Sequence, residues 1–399
     1  LPIAIRTEDT IAKAYKDDGT EFSFVDSSGN VNVSFNDAAK YGIRVKNGTG
    51  NATLSLATTQ SANDSLKLSI TGTSWTTNQF TKKDLLEDFL TYSTNKEKTF
   101  RFNTTTDNYT TTHNYDVTNI TTKTNIVGLY DSSANKISQI TLGGRYLQLD
   151  VKSGASLNIS NIYFQNLRYL SYGWGDTLGA IMIQAGATGN FENIRLSGFS
   201  QNYAHFINNL GTIENISGYF YSNSSSYNLI KNRSGGVMKN ISIDISSSGH
   251  YGNGRILNHG GGKIGYIENG AYKGGITNSH FWLNLTPNCY NYVVICNSGD
   301  LYNISDNYFI RNYNYSNSSG DFSSVALGNT GYVFENSNNI FYGNYATKSD
   351  SDTLINSVNG IALYNSGRYY LVLKDVSVIS NYAIAFGTKG IGLYNNGII

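Results

Sequence analysis

Charge is scarce in this chain. Of its 399 residues, 29 are Lys or Arg and 28 are Asp or Glu. That is 14% charged, against about 25% in an average globular protein. The net charge is +1, which leaves no electrostatic basis for holding nucleic acid or an anionic membrane. Apolar runs are short as well. None approaches the ~18 residues a membrane-spanning helix needs, so no helical span is expected. Proline and methionine number two each. Cysteine is equally rare, and Cys289 and Cys296 lie together in PNCYNYVVICN. They suit a small-loop disulfide in an oxidising compartment, or two thiols packed near a strand. No His/Cys/Asp spacing matches a zinc site, so neither metal nor cofactor is expected.

What the chain has instead is glycine (41), tyrosine (31) and much asparagine, the last concentrated after residue 150. These residues recur in order. GxxxxFENI is followed by LSGFSQNYA, then come GTIENISGYFYSN, GGVMKNISIDISSSG, GDLYNISDNYFIRN, GYVFENSNNIFYGNYA and GRYYLVLKDVSVISNYA. Anchor glycines return every 24–38 residues, a solenoid period. The strands between turns are too short to close a core alone, but stacked coils would pair them at about 4.8 Å. Aromatic and β-branched residues fit the strands, and Gly and Asn fit turns with left-handed backbone angles. The low charge then has a cause. A charge repeated on every coil would face its copy at about 4.8 Å, whereas Asn, Ser, Thr and Tyr stack without repulsion and Asn can bond the Asn above. Phe199, Phe220, Phe309 and Phe341 are therefore expected in the core, with Asn202, Asn223, Asn312 and Asn344 capping the turns that follow.

The N-terminal third differs. Residues 1–78 alternate like strands and suggest a small β domain or irregular leading coils. Residues 79–96, QFTKKDLLEDFLTYSTNK, place Leu85, Leu86, Phe89 and Leu90 on one helical face, with Thr81 at the N-cap, Asp84 at N3 and Phe80 as a staple. An amphipathic helix there would cap the open end of a solenoid and blunt its strand edges. The expected fold is all-β: a right-handed parallel β-helix of roughly ten coils over 97–399, behind a capping helix. GTKGIGLYNNGII at the end echoes VNGIALYNSG, so the chain is expected to continue past residue 399.

The run of helix, IVGLYD and LQLDVKSGASLNISNIYFQN resembles the opening coils of pectate-lyase-like parallel β-helices. Farther on, aromatic-x-x-Asn units alternate with LGAI (178–181), SGGV (234–237) and KGGI (273–276). This is similar to the FxxN and GGA[ILV] repeats of chlamydial polymorphic membrane proteins and related autotransporter passengers. The resemblance covers roughly 79–399. It implies a secreted or outer-membrane-displayed adhesin or stalk, with a host or neighbouring-cell protein or glycan as partner and a C-terminal membrane barrel in the full-length protein.

Catalytic patterns are thin. Lyase chemistry needs a carboxylate cluster with a base, and glycosidase chemistry needs two carboxylates about 5–10 Å apart. Acidic residues after 150 are scattered. Glu192 and Glu214 occupy equivalent repeat positions and are read as flanking a turn. Asp244, with Lys239 and Arg255 nearby, is the one catalytic candidate. His250, His259 and His280 could meet across coils but are read as turn residues. GGG at 260–262 precedes no helix and is not a phosphate loop. No catalytic residue is assigned. For binding, Tyr290, Tyr292, Tyr308, Tyr313 and Tyr315 fall in one region and could form an aromatic strip for sugar rings or a protein partner. The expected function is a non-catalytic adhesin or stalk. The competing reading is a carbohydrate-active β-helix, either a lyase or a tailspike-like hydrolase.

Overall fold

The computed structural model describes Leu90, most of residues 97–398 and, as backbone strands only, parts of 6–71. Segments 111–117, 142–146, 167–178, 199–204, 223–227, 248–254, 288–293, 317–321 and 349–354 are among those outside the described residues. Phe199, Asn202, Asn223, His250, Cys289, Tyr290 and Tyr292 fall in them. The expected capping helix also lies outside, apart from Leu90. That residue is helical and buried, and its carbonyl accepts a hydrogen bond from Lys98 Nζ at 3.3 Å.

Residues 97–398 form a parallel β-helix. One sheet has ten strands in strict chain order, from Thr118–Ile120 to Leu393–Ile398, each parallel to the strand one coil away. A second sheet of 20 strands runs over the same coils. Equivalent positions in successive coils are separated by as few as 23 and as many as 39 residues. The longest coil carries an insertion, the antiparallel hairpin Tyr266–Glu268 and Ala271–Lys273. Its turn is Asn269-Gly270, with φ of 51° and 78°, the pair that a two-residue hairpin turn favours. The strands before residue 72 pair antiparallel instead, Ile11–Tyr15 between two neighbours and Ser65–Thr71 between two others. Hairpins, not stacked coils, pair this way.

The core follows from repetition. Ile207, Ile230, Ile256, Ile295, Leu327 and Leu363 occupy one column of the ten-stranded sheet, and all are buried. Each contributes about 1.5–3 kcal/mol by leaving water. Phe220, Ile245, Phe281, Phe309 and Phe341 form a column of the larger sheet, fully buried. Ring centroids are 4.9 Å apart for Phe281 and Phe309 and 4.5 Å for Phe309 and Phe341. Coil spacing sets that distance, so like rings stack face to face where free rings would also choose edge contacts.

Two ladders of asparagines, buried in all but the last member of each, hold the coils together. Asn209, Asn232, Asn258, Asn297, Asn329, Asn365 and Asn395 follow one another up the ten-stranded sheet. Each Nδ2 donates to the Oδ1 of the next at 2.7–2.9 Å. A second ladder runs Asn284, Asn312, Asn344, Asn381, at 2.7–2.8 Å. Burying an amide without partners is costly, and the ladder supplies them. Asn312 and Asn344 therefore do more than close their own turns. Asn312 Oδ1 accepts the backbone N–H of Asn284, and its Nδ2 donates to the carbonyl of Phe281. Both groups belong to the adjacent coil.

Two one-residue corners bend many of the coils. One column holds Asn161, Asn193, Asn278, Asp306, Asn338 and Asp375, with φ from 49° to 59°. The other holds Asn166, Gly198, Leu283, Arg311, Gly343 and Ser380, with φ from 51° to 64°. Asn and Gly tolerate this left-handed region. Leu283 and Arg311 do not, and they stand where the outer surface changes character.

Candidate functional site

Residues that alternate with the core columns point outward. The column beside the phenylalanines reads Tyr163, Arg195, Tyr219, Asp244, His280, Tyr308. Asp244 accepts a hydrogen bond from His280, Nδ1 to Oδ1, at 2.8 Å, and the imidazole stacks on Tyr308 with centroids 5.0 Å apart. Tyr308 is 40% exposed. Tyr219 stacks on Trp282 at 5.7 Å, and burial raises its phenol pKa above the ordinary value, with Tyr221 and Asp244 adding to the effect.

Beyond the second corner lies a four-stranded parallel sheet: Leu285–Pro287, Tyr313–Ser316, Tyr345–Lys348 and Tyr382–Ala383. Tyr313 and Tyr345 stack with their rings 5.0 Å apart and inclined by 2°. Between this sheet and the corner column runs a groove of about 310 Å3. It is lined by Leu283, Arg311, Tyr313, Tyr342, Gly343, Tyr345 and Ser380. Leu283, Arg311, Gly343 and Ser380 are the left-handed corner residues of four successive coils. Gly343 keeps the middle open. A Cβ built there would lie 3.5 Å from Arg311 Cγ and meet nothing else within 4 Å.

A third outward cluster sits at the inserted hairpin. Tyr272 on the hairpin packs against Tyr302 and Phe334, with centroids 6.1 and 5.3 Å away, and Tyr332 stacks on Phe334 at 5.8 Å. Burial raises the Tyr302 phenol pKa, with Asp300 adding its charge. Ile267, Tyr272 and Tyr332 remain exposed.

The expected tyrosine strip is thus divided. Tyr308 faces outward before the corner with His280, and Tyr313 lies after it in the groove. Tyr315 is in register with Pro287 and Thr347, and its side chain is outside the described residues, as are Tyr290 and Tyr292. Tyr342 and Tyr345 in the groove and Tyr272, Tyr302 and Tyr332 at the hairpin were not singled out from sequence. The IENGAYK hairpin carried a readable Asn-Gly signal. The groove carried none, because it depends on which corner residue stacks over which.

The catalytic candidates take separate partners. Asp244 bonds His280, Lys239 pairs with Glu214 at 2.9 Å, and buried Arg255 donates through Nε to Asn284 Oδ1 at 3.4 Å. Glu192 accepts from Asn190 at 2.9 Å. His259 is exposed in the turn after Ile256–Asn258. Cys296 is buried in Ile295–Asn297. Among the described residues, no three His, Cys, Asp or Glu gather closely enough to hold a metal ion, and no helix is long and apolar enough to cross a membrane.

The class of protein that fold and surface define is a parallel β-helix with outward aromatic rows. No family model, curated protein or solved structure matches the chain.

Proposed function

We propose that the protein is a non-catalytic β-helical scaffold, an adhesin or stalk secreted by or displayed on a bacterial cell in the manner of autotransporter passengers. The observation that carries this reading is the set of outward aromatic clusters on a rigid stack of coils. Tyr308 with His280 and Tyr313 with Tyr345 lie on strands, and in the third cluster Tyr272 lies on the hairpin, Tyr332 on a strand, and Tyr302 and Phe334 directly after the strands Asp300–Leu301 and Tyr332–Val333. Rigid aromatic surfaces bind with little ordering cost and supply most of the contact energy at recognition sites. The low net charge favours contacts by shape and stacking over long-range attraction. The test is binding of the purified chain to cell surfaces and to an array of glycans. A Tyr272→Ser/Tyr332→Ser variant and a Tyr342→Ser variant should each lose part of that binding while keeping their β-sheet spectrum. If the wild-type chain adheres to no cell and no glycan, the scaffold reading fails.

One observation favours the carbohydrate-active enzyme. The Asp244–His280 pair joins a carboxylate to an imidazole on an exposed face beside Tyr308, and such pairs serve as acid–base groups. Release of reducing ends from polysaccharides, abolished by Asp244→Asn, would establish that reading in place of the first.

A further inference from the structure

We propose that the corner groove is a binding site for an acidic sugar, with Arg311 holding the carboxylate and Tyr342 the face of the pyranose ring. This rests on the scaffold reading above and assigns it a ligand class.

The argument begins with which rings have a free face. In a solenoid, aromatic residues at one repeat position stack along the axis, and each ring covers its neighbour. Tyr313 and Tyr345 are inclined by only 2° at 5.0 Å, so they offer the groove edges and hydroxyls more than faces. Tyr342 differs. It is 40% exposed and has no ring partner among the described residues. Its coil neighbours in register are Ile310 and Ile379, not aromatics. A ring placed against Tyr342 buries apolar carbon without displacing a protein contact.

Charge narrows the ligand further. Among the described residues, Arg311 is the one charged residue lining the groove. It is exposed, and its guanidinium has no hydrogen-bond or ion-pair partner among the described residues. A guanidinium presents parallel N–H groups that match a carboxylate two-to-two. The groove volume of about 310 Å3 lies at the small end of ligand pockets. That suits a short stretch of sugar more than a folded partner. The absence of a side chain at Gly343 leaves a flat floor between Arg311 and Ser380. The occupant that satisfies the Tyr342 ring face, the Arg311 guanidinium and the Ser380 hydroxyl together is a uronate-type sugar.

The probes are a hyaluronan tetrasaccharide, its carboxyl-reduced form, and a Glu-rich tetrapeptide, titrated calorimetrically against the full chain. The acidic tetrasaccharide should bind, and the reduced form should bind about 10- to 100-fold more weakly, the worth of a charge-assisted pair. Arg311→Asn keeps a residue suited to the left-handed corner and should remove that difference. Gly343→Asn also keeps the corner, and its side chain should block the groove and abolish binding. Native-like β-sheet spectra of both variants show that the coils are intact. Equal binding of the reduced sugar, equal binding of the peptide, or wild-type affinity in Gly343→Asn would each overturn the assignment. If these probes fail while cells or other glycans still bind, the groove assignment falls and the scaffold reading stands. If nothing binds at all, both fall.

Discussion

Replacing Asn297 tests whether the buried amide ladder holds the coils. Its Oδ1 accepts from Asn258 Nδ2 at 2.7 Å. Its Nδ2 donates to Asn329 Oδ1, Tyr332 O and Gly299 O at 2.8, 2.9 and 3.1 Å. Two N–H protons serve three acceptors, so about three hydrogen bonds are at stake. At about 1 kcal/mol each, with some desolvation cost for the groups left behind, Asn297→Ala should cost about 3–4 kcal/mol. Asn297→Asp is isosteric and separates shape from donation. An ionised carboxylate would face three acceptors and offer no proton, so burial and those oxygens would raise its pKa above the ordinary ~3.9. A raised folded pKa places the Asp variant's best stability at low pH, and that stability is lost as pH rises through the folded value. The Asp variant should therefore match or outperform the Ala variant near pH 4 and be the worse of the two at pH 7. A solenoid opens locally, so hydrogen exchange of peptides spanning 294–301 and 326–333 is the suitable assay. An Asp variant with wild-type protection at pH 7 would refute the ladder argument, as would an Ala cost below 1 kcal/mol.

Phe309→Ala removes a ring held between Phe281 and Phe341 at 4.9 and 4.5 Å and should cost about 3–5 kcal/mol, read as faster exchange in the coils on either side. Lys98 is buried, and burial pushes its ammonium down to about 8 from 10.5. The folded state then binds fewer protons than the unfolded chain between those values, so stability should rise with pH from about 8 to about 10.5. The cost, roughly 3 kcal/mol, is present in full at pH 7. Lys98→Met should remove this pH dependence in exchange of the 98–102 segment; an unchanged profile would exclude Lys98 as its source. Leu283 sits at φ 51° and is 51% exposed. Leu283→Asn should therefore relieve about 1 kcal/mol of corner strain, seen as a higher melting temperature, and a lower one would show that the leucine packs usefully.

The repeat made the fold legible, and chemical identity at single positions did much of the work. Phe220, Phe309 and Phe341 occupy one fully buried column. Coil length could be read because glycine closes the same turn each time: Gly211, Gly299 and Gly331 each lie close to backbone of the preceding coil. The longer asparagine ladder was harder to see. Its members sit in INNLG, IKNRSGG, ILNHGGG, ICNSG, LGNTG, LYNSG and LYNNG. There the asparagine stands two residues before a glycine, three in the case of Asn232, and in a chain this rich in both residues the pairing looks like an ordinary turn. Only the stacking register shows that these amides face inward and meet.

The groove was less legible still, and the reason is physical. Its lining comes from four coils, and the residues meet because each occupies a left-handed corner. At such a corner the local preference is Asn or Gly, and the other corner column keeps to Asn and Asp throughout. The groove column instead places Leu283, Arg311 and Ser380 there. A leucine or arginine in this backbone region costs about 1–2 kcal/mol that asparagine would not. Local rules are broken most often where a side chain serves something other than the fold. Arg311 is therefore the informative exception. Among the described residues it accepts corner strain, carries the only charge in the groove, and stands beside the one groove tyrosine whose ring no neighbouring coil covers. In a chain that otherwise repeats neutral residues to avoid stacking like charges, a lone arginine at a strained corner is explained by a ligand that neutralises it.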